Sequence, residues 1–333
     1  MRLIDIVRQS PRRLVIPLMG YPGARLTNST IRQNEFNSDL HYRSIYKLVE
    51  RFDPDAVFFM MDLSVEAGAL GLQVRYPLSE SATVEHHPVK TLADLEQYEV
   101  LDPLFDARIR SYIETMKLMA KNLNIPKGGY VIGPFTLAGL LMGAVEIATA
   151  TITEPDLVLS VVNFAENIII RYAKELIRAG ANMIAILEPT ATFLSPKAFA
   201  RFSGASVSRI VRFLDAMTIL HICGNTTHLV EAMCETGVQG LSLDSVADFP
   251  AVASRVRSDV VLIGNIAPVR VMVNEKPDGV KRAVNNLLEA MEPYPNFILS
   301  TGCDLPLETP LENIQAFMEA GKAWRLRRAD SAA

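Results

Sequence analysis

Short apolar runs alternate with longer amphipathic stretches along most of the chain. Eight runs have the make-up of strands: "LVIPLM" (14–19), "AVFFMM" (56–61), "GYVIG" (129–133), "MIAILE" (183–188), "MTILHI" (217–222), "GLSLD" (240–244), "VVLIGN" (260–265) and "FILST" (297–301). They are almost continuously hydrophobic and rich in β-branched residues, the pattern of parallel strands covered on both faces. Stretches of helical period separate them, among them "VNFAENIIIRYAKELIRAGA" and "VKRAVNNLLEAMEPYP". Eight such units predict an α/β fold, a single (β/α)8 TIM barrel over residues 1–333 with extra N-terminal helices. An open doubly wound sheet is the alternative, but no G-x-G-x-x-G loop follows the first run to favour it. The longest connection, from about 62 to 128, contains "LGLQVRYPLSESATVEHH". It predicts a hairpin over the barrel mouth and then helices, inserted between the second and third strands.

Composition narrows the partners. With 33 basic and 37 acidic side chains in 333 residues the formal charge is −4. No basic block runs far enough to hold nucleic acid, and the tail "WRLRRADSAA" reads as a solvated helix end. No charge-free apolar stretch reaches the roughly 18 residues of a membrane span, and "MRLIDIVRQS" lacks the apolar centre of a signal peptide. Three scattered cysteines, Cys223, Cys234 and Cys303, are too few for a disulfide framework. The expectation is a cytoplasmic, reduced protein without membrane or nucleic-acid partners, its thiols available for chemistry.

A barrel places its chemistry at the C-terminal ends of its strands. Those ends carry Asp62 and Glu66, "GPFT" (133–136), Glu188, His221 and Cys223, Asp244, Asn265 and "GCD" (302–304). His221 and Cys223 stand two residues apart and project to one side of their strand. Catalytic zinc takes three protein ligands, thiolate and imidazole foremost, and keeps a fourth position exchangeable. His221 and Cys223 supply two ligands, Cys303 after the last run a third, and Asp244 a displaceable oxygen. The alternative is core packing, since free cysteine behaves as a small buried hydrophobe. A second cysteine at a strand end favours the metal; Cys234, within a helical pattern, keeps the packing role.

Asp62, Glu66, Glu188 and Asn265 are the polar residues expected around the substrate or cofactor. Glu66 has two readings, recognition of the far end of an acceptor or a charge favoured by a helix N-terminus. Thr190 and Ser195 read as turn and cap residues. His228 lies on the surface or just behind the site, and His41, His86 and His87 carry no spacing argument.

At these residues the chain resembles the uroporphyrinogen decarboxylase superfamily, and within it the zinc-dependent branch of methylcobalamin:coenzyme M-type methyltransferases. The resemblance runs nearly end to end through "FFMMDLSVEAGALG", "GPFTLAGLLMG", "ILEPTATFLSPKAFARF", "HICGNTTHLVEAMCETGVQGLSLD", "IGNIAPVRVM" and "FILSTGCDLPLETPLENIQAFMEA". It implies His221, Cys223 and Cys303 as zinc ligands, with Asp244 where a substrate thiol displaces an acidic fourth ligand. The implied reaction moves methyl from a methyl-corrinoid (methylcobalamin or a methylated corrinoid protein) to a small thiol such as coenzyme M, by SN2 attack of zinc-held sulfur. A free thiol, with a pKa of about 8.5, is mostly protonated near neutrality, and zinc removes that proton. The corrinoid is expected to arrive on a separate protein: "DLHYRS" (39–44) lacks the glycine of a base-off cobalamin motif and lies in a helical stretch.

The decarboxylase branch is the alternative enzyme, a cofactor-free carboxy-lyase. Asp62 matches its catalytic aspartate, but "MGYPGAR" keeps only Arg25 of its arginine-rich run, and Cys303 stands where it has histidine. A substrate with many carboxylates would lack its cationic clamp. A third reading is a carrier of corrinoid or tetrapyrrole with a structural metal.

Overall fold

The computed structural model describes residues 2–325, so most of the basic tail falls outside the described residues. The strands are β1 (Val57–Phe58), β2 (Val74–Arg75), β3 (Thr83–Val84), β4 (Lys127–Ile132), β5 (Met183–Leu187), β6 (Met217–Ile222), β7 (Gly240–Leu243), β8 (Val261–Ile266) and β9 (Phe297–Thr301). Seven of them form one parallel sheet in the order β1-β4-β5-β6-β7-β8-β9, while β2 and β3 pair as the antiparallel hairpin.

The first expected strand is not a full one. Within "LVIPLM" only Val15 makes a bridge, parallel to Leu299 of β9. Pro17 has no N–H to give a ladder, and side chains take its place. The Leu18 N–H donates to Thr301 Oγ1 at 3.0 Å, and Ser300 Oγ donates to the Ile16 carbonyl at 2.6 Å. On its other side Val15 meets the approach to β1: its carbonyl accepts from the Asp55 N–H at 3.1 Å, and its own N–H donates to Asp55 Oδ2 at 2.7 Å. Residues 14–18 thus lie between the two outermost strands and close the ring, giving a TIM-barrel-like fold. Strand β1 is shorter than "AVFFMM" because side chains capture the backbone beyond it. The Met60 N–H donates to His41 Nε2 at 2.9 Å, and the Met61 N–H donates to Asp304 Oδ2 at 3.3 Å.

The interior is packed rather than hollow. A cavity of only about 20 Å³ remains, lined by Phe58, Tyr130, Ile219, Ile263 and their neighbours, with Leu3 of the N-terminal helix Leu3–Gln9 at its lower end. The two amphipathic stretches of the sequence are the helices Pro155–Arg178 and Pro277–Ala290, each opened by proline, whose missing N–H is no loss in the first turn. Among the described residues no single helix is long and apolar enough to cross a membrane. The pair Pro134–Met142 and Ala144–Thr153 reaches that length only when added across a 102° bend.

Candidate metal centre

Three ligand atoms from distant parts of the chain meet at the barrel mouth. His221 Nε2 lies 3.0 Å from Cys223 Sγ, the two sulfurs lie 3.4 Å apart, and Cys303 Sγ is 3.7 Å from the imidazole nitrogen. Among the described residues this is the one cluster of three or more His, Cys, Asp or Glu able to hold a metal ion. Tetrahedral zinc with its usual bonds spaces neighbouring ligands by ~3.5–3.8 Å. A set of two sulfurs and one nitrogen at these separations therefore fits zinc with little adjustment. His221 is buried and the two cysteines half-buried, which leaves the sulfur side of the cluster open to solvent.

Local structure explains the convergence. Cys223 follows β6, and the chain turns at once at Gly224, whose φ of +84° suits glycine. The Gly224 N–H donates to Asp244 Oδ2 at 2.8 Å, and Thr192 Oγ1 donates to the Cys223 carbonyl at 2.7 Å. Cys303 follows β9. The preceding Gly302 donates its N–H to the Ile266 carbonyl at 2.9 Å, and a Cβ there would stand 2.5 Å from the Ser245 nitrogen. The neighbouring Asp304 accepts N–H groups from Gly20 at 3.0 Å, Met61 at 3.3 Å and Leu305 at 2.9 Å, and so fixes the cysteine loop to the tops of two other barrel segments. Loss of hydration pushes the Asp304 carboxyl up to about 7.

The two sulfurs lie within hydrogen-bond reach; that contact holds the Cys223 thiol below its ordinary value, and the same contact together with burial pushes Cys303 well up.

Asp244 does not join the cluster. Its Oδ2 is taken by Gly224, and its Oδ1 accepts from Ser245 Oγ at 3.1 Å, so it orients the Cys223 turn instead. The residues expected around a ligand are likewise turned to internal partners. Asn265 donates its amide to the carbonyls of Asp244 at 3.1 Å and Ala247 at 2.8 Å. Glu188 is fully buried, which pushes its carboxyl up, and it accepts the Phe135 and Thr136 N–H groups at 2.9 and 2.8 Å and Ser203 Oγ at 2.7 Å at the start of the helix Pro134–Met142. Cys234 is buried, as its helical setting implied, and Ser195 caps the helix Pro196–Phe199. His41 packs in the core, where burial lowers its pKa to about 3.

Asp62 and Glu66 belong to a separate buried group. The Asp62 carboxylate forms an ion pair with Arg108, and accepts from Ser64 N and Oγ at 2.8 and 2.7 Å and from Tyr112 OH at 3.1 Å. Arg108 also donates to Tyr76 OH of the hairpin segment at 2.9 Å, and lies 4.6 Å from the centre of that ring. Glu35, buried close by, is pushed up to about 8 by burial and then by the charge of Asp62. Sequence reasoning gave no role to Arg108, Glu35 or Ser242, and named Asp304 only as part of "GCD" at a strand end. An arginine or acid in an amphipathic stretch looks like surface until the packing is known.

Glu66 is buried, accepts the Ile132 N–H at 2.8 Å and is pushed up to about 8, chiefly by burial. Its raised folded value means that the native state holds the proton while the unfolded carboxyl, near 4.3, has lost it. Its contribution therefore weakens as pH rises through that window. Glu66→Gln is neutral throughout, keeps an acceptor for Ile132, and is expected to gain roughly 4–5 kcal/mol over the native chain at pH 8 and almost nothing at pH 4. Urea unfolding at the two pH values measures the difference; equal shifts at both would contradict it.

A family model described as "Uroporphyrinogen decarboxylase (URO-D)" matches residues 11–324. The chain belongs to the uroporphyrinogen decarboxylase family. Within that family, a methylcobamide:CoM methyltransferase MtbA of Methanosarcina mazei is 31% identical over 279 residues, 81% of this chain and 80% of the relative. A uroporphyrinogen decarboxylase of Prochlorococcus marinus is 25% identical over 331 residues, 95% of this chain and 92% of the relative. A solved methyltransferase structure from Methanosarcina mazei superposes with a TM-score of 0.88, covering 96% of this chain and 97% of its own at 24% identity, which shows the shared fold.

Proposed function

We propose that this family member is a methyltransferase that carries a methyl group from a methyl-corrinoid to a small thiol, with His221, Cys223 and Cys303 as the ligands of a catalytic zinc. The observation that carries the reading is the meeting of two cysteine sulfurs and one imidazole at the open end of the barrel. The methyltransferase relative at 31% identity supports the same chemistry. Zinc, when bound there, supplies a Lewis acid that strips the proton from an acceptor thiol and leaves the sulfur nucleophilic near neutral pH.

The chain's own residues account for the rest. Cys223 and Cys303, as thiolates, bring two negative charges that offset the dication, so an incoming sulfur stays electron-rich. His221 occupies the buried side, and the half-buried cysteines leave approach from above. Asp244 and Thr192 hold the Cys223 turn, and Asp304 holds the Cys303 loop. In the transfer itself the acceptor sulfur forms a bond to the methyl carbon as the carbon–cobalt bond breaks, its electron pair passing to cobalt. Exposed apolar side chains beyond β5, β7 and β8 (Phe193, Val246 and Val269) suit the docking of a corrinoid-bearing protein over the mouth.

Decarboxylation of a porphyrinogen is the poorer fit. Arg25, kept from the arginine-rich run, is engaged with the carbonyls of Glu308 and Thr309, at 3.3 and 2.7 Å, and Arg108 is committed to Asp62. No free cationic clamp faces the cluster from these positions, and the aspartate that matches the decarboxylases is itself ion-paired. Incubation of zinc-loaded protein with methylcobalamin and a panel of thiols, coenzyme M among them, tests the reading. The appearance of cobalt(I) absorbance with equimolar thioether is the expected result. Metal-free protein that releases carbon dioxide from uroporphyrinogen and leaves methylcobalamin untouched would overturn it.

A further inference from the structure

A metal held at the cluster would select one tautomer of His221. Its Nε2 lies within reach of both sulfurs, so that nitrogen would offer its lone pair to the metal, and the ring proton would sit on Nδ1. The Nδ1 atom lies 2.9 Å from Ser242 Oγ. His221 and Ser242 are register partners on the parallel strands β6 and β7, so both side chains point into the barrel. The cavity below them is otherwise lined by Tyr130 and by apolar side chains such as Leu18, Met183 and Ile298. An Nδ1–H without Ser242 would face that apolar space with no acceptor, a costly arrangement for a buried donor.

We propose that Ser242 is a positioning residue for the metal centre: its hydroxyl accepts the Nδ1–H of His221, selects the tautomer with Nε2 free, and fixes the ring plane toward Cys223 and Cys303. The proposal rests on the reading of His221 as a metal ligand. It assigns to a serine the role that a carboxylate or backbone carbonyl often plays behind metal-bound histidine, where removal weakens metal binding about 10–100-fold. A neutral acceptor suits this place, because a carboxylate there would be a charge buried in an apolar core.

Zinc affinity, measured by competition with a chromophoric chelator, tests the assignment without any turnover assay. Ser242→Ala is expected to weaken zinc binding about 10–100-fold. Ser242→Thr and Ser242→Val have nearly the same size and differ in the hydroxyl; the threonine variant is expected to stay within about threefold of the native chain and the valine variant to fall with alanine. Ile298→Val trims the same cavity without touching the imidazole and is expected to bind zinc normally. In a His221→Ala background, Ser242→Ala should change the residual affinity not at all, because its action runs through the ring. Equal affinities for the threonine and valine variants, or an equal loss in both backgrounds, would overturn the proposal. A native chain that takes up no zinc would instead overturn the metal reading itself.

Discussion

Cys303→Ala is expected to lower bound zinc from about one per chain to a small fraction of that, and to slow methyl transfer to a thiol by on the order of 10³-fold or more. The magnitude follows from what is lost. Two ligands two residues apart at the end of β6, His221 and Cys223, make an incomplete site, and the third comes from a segment 80 positions away, its sulfur 3.4 Å from that of Cys223. A bound Lewis acid is worth several kcal/mol at the transition state, and each 1.36 kcal/mol is about tenfold in rate. His221→Ala should behave alike. Cys234→Ala is the matched control: that thiol is buried at the end of the helix Val230–Cys234, outside the cluster, so zinc content and rate should stay near those of the native chain. Metal analysis after gel filtration, paired with methylcobalamin consumption, separates the outcomes. Full zinc content in Cys303→Ala would remove this sulfur from the ligand set.

Much of this was legible in the chain, and the reasons differ from element to element. The runs that became β6 and β9 match their strands residue for residue, because each is apolar, β-branched and free of proline. The run at 14–19 reads the same by hydrophobicity, but Pro17 breaks its ladder and leaves one bridge, with barrel closure carried by Ser300, Thr301 and Asp55. That His221, Cys223 and Cys303 would meet could be expected from spacing because strand ends locate themselves in a barrel. The roles of Asp244, Glu188 and Asn265 could not. An acid at a strand end looks the same in sequence whether it faces a ligand or a backbone N–H, and here the amides of Gly224, Phe135 and Thr136 decide. Ser242 shows the same limit from the other side: "GLSLD" places a serine inward, but only the register with β6 puts it against Nδ1 of His221.

Arg108→Leu is expected to destabilise the fold by about 3–5 kcal/mol at neutral pH, the cost of leaving a buried carboxylate without its partner. The Asp62 side chain is 1% exposed and that of Arg108 5%, so water cannot replace the lost charge. Arg108 also joins three parts of the chain: the end of the β1 segment through Asp62 and Ser64, the hairpin through Tyr76, and the short helix Ile31–Phe36, whose Phe36 ring lies 5.4 Å from the guanidinium. Its loss therefore loosens the insertion as well as stranding a charge. Asp62→Asn in the same chain should recover part of the stability, since it removes the unpaired charge while keeping an acceptor for Ser64 and Tyr112. Guanidinium unfolding of the two single variants and the double variant at neutral pH measures both effects. A deficit below about 1 kcal/mol would mean that the pair contributes no more than an exposed one.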